Sequence, residues 1–182
     1  YLKLRRDKVD EELFERIHEV LLNFRYWMDM EGSDAMCFWS ENHSLMFYYA
    51  AMEAGKMYPN EFFKRAKMDG KELYLFGKTR ILQWIKDVKE YGFEEFQSSV
   101  YLCVTFAVML NIIDFAEDEL SKSMRDICDN MMIQLAMQTF DSIQVSPMGR
   151  VYRNILYPFT QGTQSILAML LKDAPVSYGE GW

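Results

Sequence analysis

No charge interrupts the stretch Ser44-Leu45-Met46-Phe47-Tyr48-Tyr49-Ala50-Ala51-Met52, which decides the fold. A helix that is apolar around its whole circumference is buried on every face. Ser40 can cap such a helix at its start, and Gly55 and Pro59 mark its end. We therefore expect an inner helix over about 40–55.

The helices on either side of this stretch are predicted to alternate in character. Amphipathic helices, in which apolar residues recur every three or four positions, are expected at about 8–29, 71–91 and 119–140. Apolar helices are expected at about 40–55, 100–116 and 160–171. A short helix, Glu61–Lys67, is expected after a cap at Asn60. The apolar helices begin about 60 residues apart, so the same pair of elements occurs three times.

This alternation predicts an all-α protein built from helical hairpins at about 8–55, 71–117 and 119–172. Each amphipathic helix can shield an apolar partner from water, and the apolar partners can pack on one another. Such pairs stack as an open solenoid or curl into an (α/α) toroid with apolar helices inside and amphipathic helices outside. The whole chain, 1–182, is then a single all-α domain or a fragment of a larger toroid.

Composition narrows the classes of partner. The net charge of −7 argues against nucleic acid, since phosphate binding requires clustered Lys and Arg. No apolar run reaches the roughly 18 residues that span a bilayer. The three cysteines fit neither a disulfide framework nor a CxxC site, which favours reduced thiols and leans towards a cytoplasmic protein. A start at Tyr1 suggests a piece of a longer chain, so the localisation is left open.

The best candidate site is Trp39-Ser40-Glu41-Asn42-His43, where a loop enters the first apolar helix. A helix start offers unpaired N–H groups and partial positive charge. His43 can act as a base near neutral pH, and Glu41 as an acid if burial raises its pKa. The alternative is a capping network, in which Ser40 caps the helix and His43 satisfies a backbone group.

Two later segments offer further candidates. Gln97-Ser98-Ser99-Val100-Tyr101 heads the second apolar helix, and the Tyr101 hydroxyl could reach the same cleft or could be satisfied within the core. The loop before the third apolar helix carries Arg150 and Tyr152, which suit sugar or carboxylate recognition, or it covers a helix end. Two histidines and no cysteine pair argue against a zinc site, and no phosphate loop is present, so we expect neither a metal nor a cofactor.

The helical pairs and the segment Ser40-Glu41-Asn42-His43-Ser44 resemble the α/α-toroid carbohydrate-active proteins, in particular the alginate lyase and heparinase-like polysaccharide lyases. Members carry an Asn-Asn-His-type motif that enters an inner helix, with a Tyr and an Arg from later helices. The resemblance implies that Asn42 neutralises a uronate carboxylate and that His43 is the base or proton shuttle. It also implies that Tyr101 is a base or acid and Arg150 an electrostatic clamp.

Two functions follow as hypotheses. The first is a carbohydrate-active enzyme with Glu41, Asn42, His43 and Tyr101 as catalytic residues and with Trp39, Gln97, Arg150 and Tyr152 binding the saccharide. Glu41 stands where the family has its first Asn, which favours a neutral sugar, and hydrolysis would pair Glu41 with Asp34 or Glu31. The second is a non-catalytic helical scaffold that binds a peptide or protein, in which case the polar side chains should point into the protein.

Overall fold

The computed structural model describes residues 2–145, 149 and 162–176. These residues are mainly helical, which confirms the all-α class, and the strands among them form two small antiparallel hairpins. The chain groups into two compact units. Unit 1 holds Tyr1–Phe38 and Phe47–Arg80, and unit 2 holds Trp39–Met46 and Ile81–Trp182.

The helices in chain order are α1 (Leu2–Arg5), α2 (Glu11–Leu22), α3 (Glu41–Met57), α4 (Gly70–Tyr91), α5 (Leu102–Phe115), α6 (Asp118–Met137) and α7 (Gly162–Leu170). A 3-10 turn, Arg6–Lys8, follows α1. The strands are β1 (Phe62–Phe63), β2 (Met68–Asp69), β3 (Thr139–Phe140) and β4 (Ile143–Gln144). The helix expected at 8–29 is shorter than predicted, whereas the other long helices end within a few residues of the predicted positions.

Unit 1 has a core of aromatic side chains that explains the early end of α2. Beyond Leu22 the chain leaves the helix, and Tyr26 and Trp27 turn inward to 1% and 7% exposure. Neighbouring ring centroids lie 4.5 to 6.1 Å apart along one continuous series, Tyr48, Trp27, Phe38, Phe47, Phe24, Tyr26 and Phe63. Aromatic rings at these separations contribute more to stability than their buried area alone, so this series stabilises the core of the unit.

The prediction of a short helix at Glu61–Lys67 is wrong, because this segment contributes to the hairpin of β1 and β2. Phe63 is fully buried and its ring packs on Tyr26. Lys67 has a φ of +55°, and its N–H donates to the Phe63 carbonyl at 2.9 Å. The burial of a single aromatic side chain therefore outweighs the local helical preference of this segment.

Helices α3 and α4 approach each other closely in unit 1. A Cβ placed on Gly77 would lie 2.5 Å from the backbone N of Met52 and 2.5 Å from the carbonyl oxygen of Tyr48. These contacts involve backbone atoms, which cannot move aside as a flexible side chain can. The glycine thus sets the distance between the two helices.

We expect Gly77→Ala to lower the free energy of unfolding by about 2 kcal/mol, the usual cost of overpacking. In an isolated helix the same change would stabilise by about 1 kcal/mol, so the sign of the effect identifies the packing contact. Urea denaturation measures it, with exposed Lys86→Ala on the same helix as the control. A stabilised Gly77→Ala variant would contradict the close approach.

Unit 2 is organised around α5, which packs against α6 and α7. The buried face of α6 repeats every three or four residues and consists of Leu120, Met124, Ile127, Cys128, Met131 and Leu135. After α6 the chain forms the hairpin of β3 and β4. Asp141 and Ser142 both have positive φ at its tip, as a tight two-residue hairpin turn requires. The spacing of the buried residues of α6 confirms that this helix is amphipathic, as predicted.

The expectation that the apolar helices are buried on every face is wrong for α3, where Met46 is 38% exposed, and for α5 and α7. Leu110 on α5 is 40% exposed, and Met169 and Leu170 on α7 are 72% and 64% exposed. Both α5 and α7 therefore carry apolar side chains on faces that the described part of the chain does not cover. Within the described residues, none of the helices combines the length and the hydropathy that crossing a bilayer requires.

Candidate functional site

The start of α3 is joined to the segment before α5 in unit 2. Oε1 of Glu41 accepts the N–H of Glu94 at 3.1 Å, and Oε2 accepts the N–H of Glu95 at 3.0 Å. In return, Oε2 of Glu95 accepts the N–H of Asn42 at 3.4 Å. Each glutamate therefore satisfies backbone donors of the other segment, one of which is an orphan donor of a helix start.

The start of α5 is joined in turn to the start of α7. The N–H of Thr163 donates to the carbonyl oxygen of Ser99 at 2.8 Å. A Cβ on Gly162 would lie 2.9 Å from the same carbonyl oxygen and 2.6 Å from Sγ of Cys103, so glycine permits this approach. Directly before α5, Oγ of Ser98 accepts a hydrogen bond from the N–H of Tyr101 at 3.3 Å.

Buried polar side chains are concentrated at these three helix starts. Among the described residues, the polar side chains that are at most 5% exposed all lie in unit 2: Glu41, Asn42, Ser98, Ser99, Thr105, Gln144, Thr163 and Gln164. Six of these eight head α3, α5 or α7. The polar helix starts that recur along the sequence are thus linked by hydrogen bonds into one region.

His43 is held through its Nδ1 atom. Nδ1 lies 2.6 Å from Oγ of Ser40 and 3.1 Å from Oδ1 of Asn42. Ser40 Oγ donates to Asn42 Oδ1 at 2.8 Å, and the amide oxygen can only accept. These roles assign the proton of the neutral imidazole to Nδ1, which leaves Nε2 with a lone pair. His43 itself is half-buried.

Burial changes the acidity of Glu41, whose side chain is 5% exposed. Its pKa is raised to about 7, chiefly because burial disfavours the charged form. The N–H bonds from Glu95 and Glu94 lower the pKa, whereas the negative charges of the same two residues raise it again. Glu41 therefore changes its charge near neutral pH.

The other predicted site residues have different environments. Trp39 is 73% exposed, and Tyr101 is half-buried directly before α5. Gln97 has a φ of +49°, and its Oε1 is buried without a hydrogen-bond partner within the described part of the chain. Arg150 and Tyr152 lie outside the described residues.

The carboxylates proposed to pair with Glu41 in hydrolysis have partners elsewhere. Asp34 pairs with Arg65 at 2.6 Å and Glu31 with Lys67 at 3.4 Å, both on the exposed surface of unit 1. The carboxylates whose charges act on Glu41 are instead those of Glu95 and Glu94, which sequence reasoning missed. Phe93-Glu94-Glu95-Phe96 reads as a solvated acidic loop, and no periodicity or motif distinguishes it.

Glu41 and Asn42 have partners within the protein, whereas the His43 imidazole, expected in the capping interpretation to satisfy a backbone group, contacts the side chains of Ser40 and Asn42. Asn42 is 2% exposed, and its Oδ1 is occupied by Ser40 and His43. A uronate carboxylate would have to be bound by the Nδ2 donor of Asn42, and the burial of this residue withdraws that group from a ligand. His43 is the more accessible side chain of the group.

No protein-family model, curated protein or solved structure matches the chain. Over residues 2–145, 149 and 162–176, no three His, Cys, Asp or Glu side chains are grouped so that they could hold a metal ion.

The pH dependence of stability tests the environment of Glu41. Its pKa is about 7 in the folded protein and 4.5 ordinarily, so the folded state binds the proton more tightly. The resulting stabilisation is complete below pH 4.5 and is lost as the pH rises to about 7. We expect the loss to be about 3 kcal/mol.

Glu41→Gln should remove this loss, although it costs a pH-independent amount because its amide faces a backbone N–H. The measurement is the free energy of unfolding of both proteins between pH 4 and pH 8. Parallel curves for the two proteins would show that Glu41 does not titrate in this range.

Proposed function

We propose that the chain is part of an (α/α) toroid that acts on a poly- or oligosaccharide, with His43 as the base that transfers the proton. One observation carries the proposal: Ser40 and Asn42 fix His43 through Nδ1 at the point where three polar helix starts are linked. A base must be oriented and must keep a lone pair, and Nε2 of His43 meets both conditions. Apolar residues left exposed on α5 and α7 are what further hairpins of a toroid would cover.

Elimination is the reaction that this arrangement supports better. Nε2 of His43 would take the proton from the carbon beside the uronate carboxylate. The electron pair of that C–H bond would form the C=C bond as the bond to the glycosidic oxygen breaks. The Tyr101 hydroxyl would then supply a proton to the leaving oxygen, so that atoms and charge balance.

The residues around His43 then take modified roles. Asn42 orients the imidazole, since its Oδ1 is already used inside the protein. Glu41 joins the start of α3 to the segment before α5. Trp39, Gln97, Arg150 and Tyr152 are the proposed saccharide-binding residues, with Arg150 beside the carboxylate.

Hydrolysis would require two carboxylates that flank the scissile bond. Glu41 and Glu95 are the available pair in unit 2, and the raised pKa of Glu41 suits an acid. Both oxygens of Glu41, however, accept backbone N–H groups. Breaking these bonds to protonate a sugar would cost more than the use of the half-buried His43.

Replacement of His43 tests the elimination. We expect His43→Ala to reduce turnover of uronate-containing polysaccharides by about 10²- to 10⁴-fold, the usual contribution of a positioned base. Formation of the unsaturated uronate, followed by its ultraviolet absorbance, is the readout. The matched control is His18→Gln, the other histidine of the chain, and circular dichroism verifies folding.

The positioning role of Ser40 has its own signature. Ser40→Ala should lower turnover less than His43→Ala does and should shift the pH profile, since the imidazole loses a partner at Nδ1. Full activity of His43→Ala would end the elimination proposal. Loss of reducing-end release in Glu41→Gln and Glu95→Gln, with His43→Ala active, would favour hydrolysis.

A second candidate is a non-catalytic helical scaffold that binds a peptide or protein. The burial and internal bonding of Glu41 and Asn42 favour it, because such side chains are withdrawn from a ligand. In that case no saccharide in a panel is turned over by the wild type. Ser40→Ala should then cost about 1 kcal/mol of stability, as loss of a helix-start contact does, and have no other effect.

A further inference from the structure

Unit 1 contains a cavity of about 600 Å³, and none of its lining residues belongs to the polar helix starts of unit 2. One wall is the loop after α2, with Asp29, Met30 and Glu31. The other wall is the turn between β1 and β2, and Phe76 of α4 closes one side. This volume lies within the range of small-ligand sites.

The first wall is held in place by Arg25. Its guanidinium donates to the carbonyl oxygens of Met28, Met30 and Asp34 at 2.5, 3.1 and 3.0 Å. The N–H of Glu31 donates to the carbonyl oxygen of Arg65 across the cavity at 3.2 Å. Because these bonds fix both walls, the cavity exists before any ligand binds, which reduces the cost of binding.

One carboxylate that lines the cavity, that of Asp29, has no ion pair within the described chain. Arg65 is paired with Asp34 at 2.6 Å, and Lys67 is paired with Glu31 at 3.4 Å. Asp29 is exposed and lines the cavity, yet within the described chain it has neither an ion pair nor a hydrogen bond. Asp29 and Arg80 both act on the Tyr48 hydroxyl, but within the described chain the Asp29 carboxylate has no direct ion pair that a bound cation would have to displace.

The remaining lining is apolar. Met30 and Ala66 are 7% and 9% exposed at the base, and Met68 and Phe76 are half-buried beside them. The Arg80 guanidinium lies 5.2 Å from the Phe76 ring centroid and 5.8 Å from that of Tyr48. A second cation on that ring would be repelled, so the cationic group of a ligand belongs at Asp29.

We propose that this cavity binds a primary ammonium or guanidinium group carried on an aliphatic stem. The cationic group pairs with Asp29, and the stem covers Met30, Ala66 and Met68, as lysine and arginine stems cover apolar surface elsewhere. The net charge of −7 adds attraction for a cation at longer range. Such a group occurs on a basic side chain of a protein partner and on a free aliphatic diamine.

Titration with small probes tests the proposal on the intact chain. The probes are Nα-acetyl-lysine methylamide for a partner's side chain, cadaverine for a free diamine and Nα-acetyl-norleucine methylamide as the uncharged control. We expect millimolar binding of the cationic probes, at least about tenfold tighter than norleucine, with shifts of the Glu31 and Ala66 amide resonances. The tighter of the two cationic probes identifies the source, and either order supports the site.

Asp29→Asn should weaken binding of the cationic probes by about tenfold or more, since a charged hydrogen bond is lost. Glu12→Gln removes the same charge from an exposed position on α2 and should change the affinity less than about twofold. Equal affinity of wild type and Asp29→Asn would overturn the proposal, as would equal binding of the norleucine probe or no binding of either cation. Saccharide turnover does not enter this readout.

Discussion

A buried backbone N–H group without an acceptor costs about 1–3 kcal/mol, and the start of a helix carries several such groups. In unit 2 this requirement is met by an exchange between two glutamates. Glu41 accepts the N–H groups of Glu94 and Glu95, and Glu95 accepts that of Asn42. The exchange ties α3 to the segment that leads into α5. The bond from Thr163 to Ser99 then extends the connection to α7.

The same exchange creates an electrostatic conflict. Two backbone donors favour the ionised form of Glu41, whereas burial and the nearby charges of Glu95 and Glu94 favour the protonated form. The second group prevails and raises the pKa to about 7. Strained or costly electrostatics of this kind are more frequent at functional sites than elsewhere, although structural networks produce them too. Glu41 thus links α3 to the segment before α5 and also changes its charge near neutral pH.

The sequence correctly predicted the helices whose buried residues recur at a regular spacing. In α6 a buried residue recurs every three or four positions, and the helix follows almost to the predicted ends. The prediction failed where a single long-range contact decides the backbone, as for Phe63 in β1. It also missed Glu95, because its partner Asn42 lies more than fifty residues away and only the folded chain brings them together.

The sequence identified the candidate site as a set of polar helix starts, but it did not identify the roles of the individual residues. Asn42 looked like a ligand for substrate and is instead turned inward, 2% exposed, with its Oδ1 bonded to the backbone N–H of His43. That bond satisfies one of the unpaired donors of the helix start. The imidazole of His43 satisfies no further backbone donor, yet Ser40 and Asn42 both hold its Nδ1. Capping accounts for the Asn42 amide but not for the ring, and an oriented imidazole whose Nε2 has no hydrogen bond within the described part of the chain is what the proposed base requires.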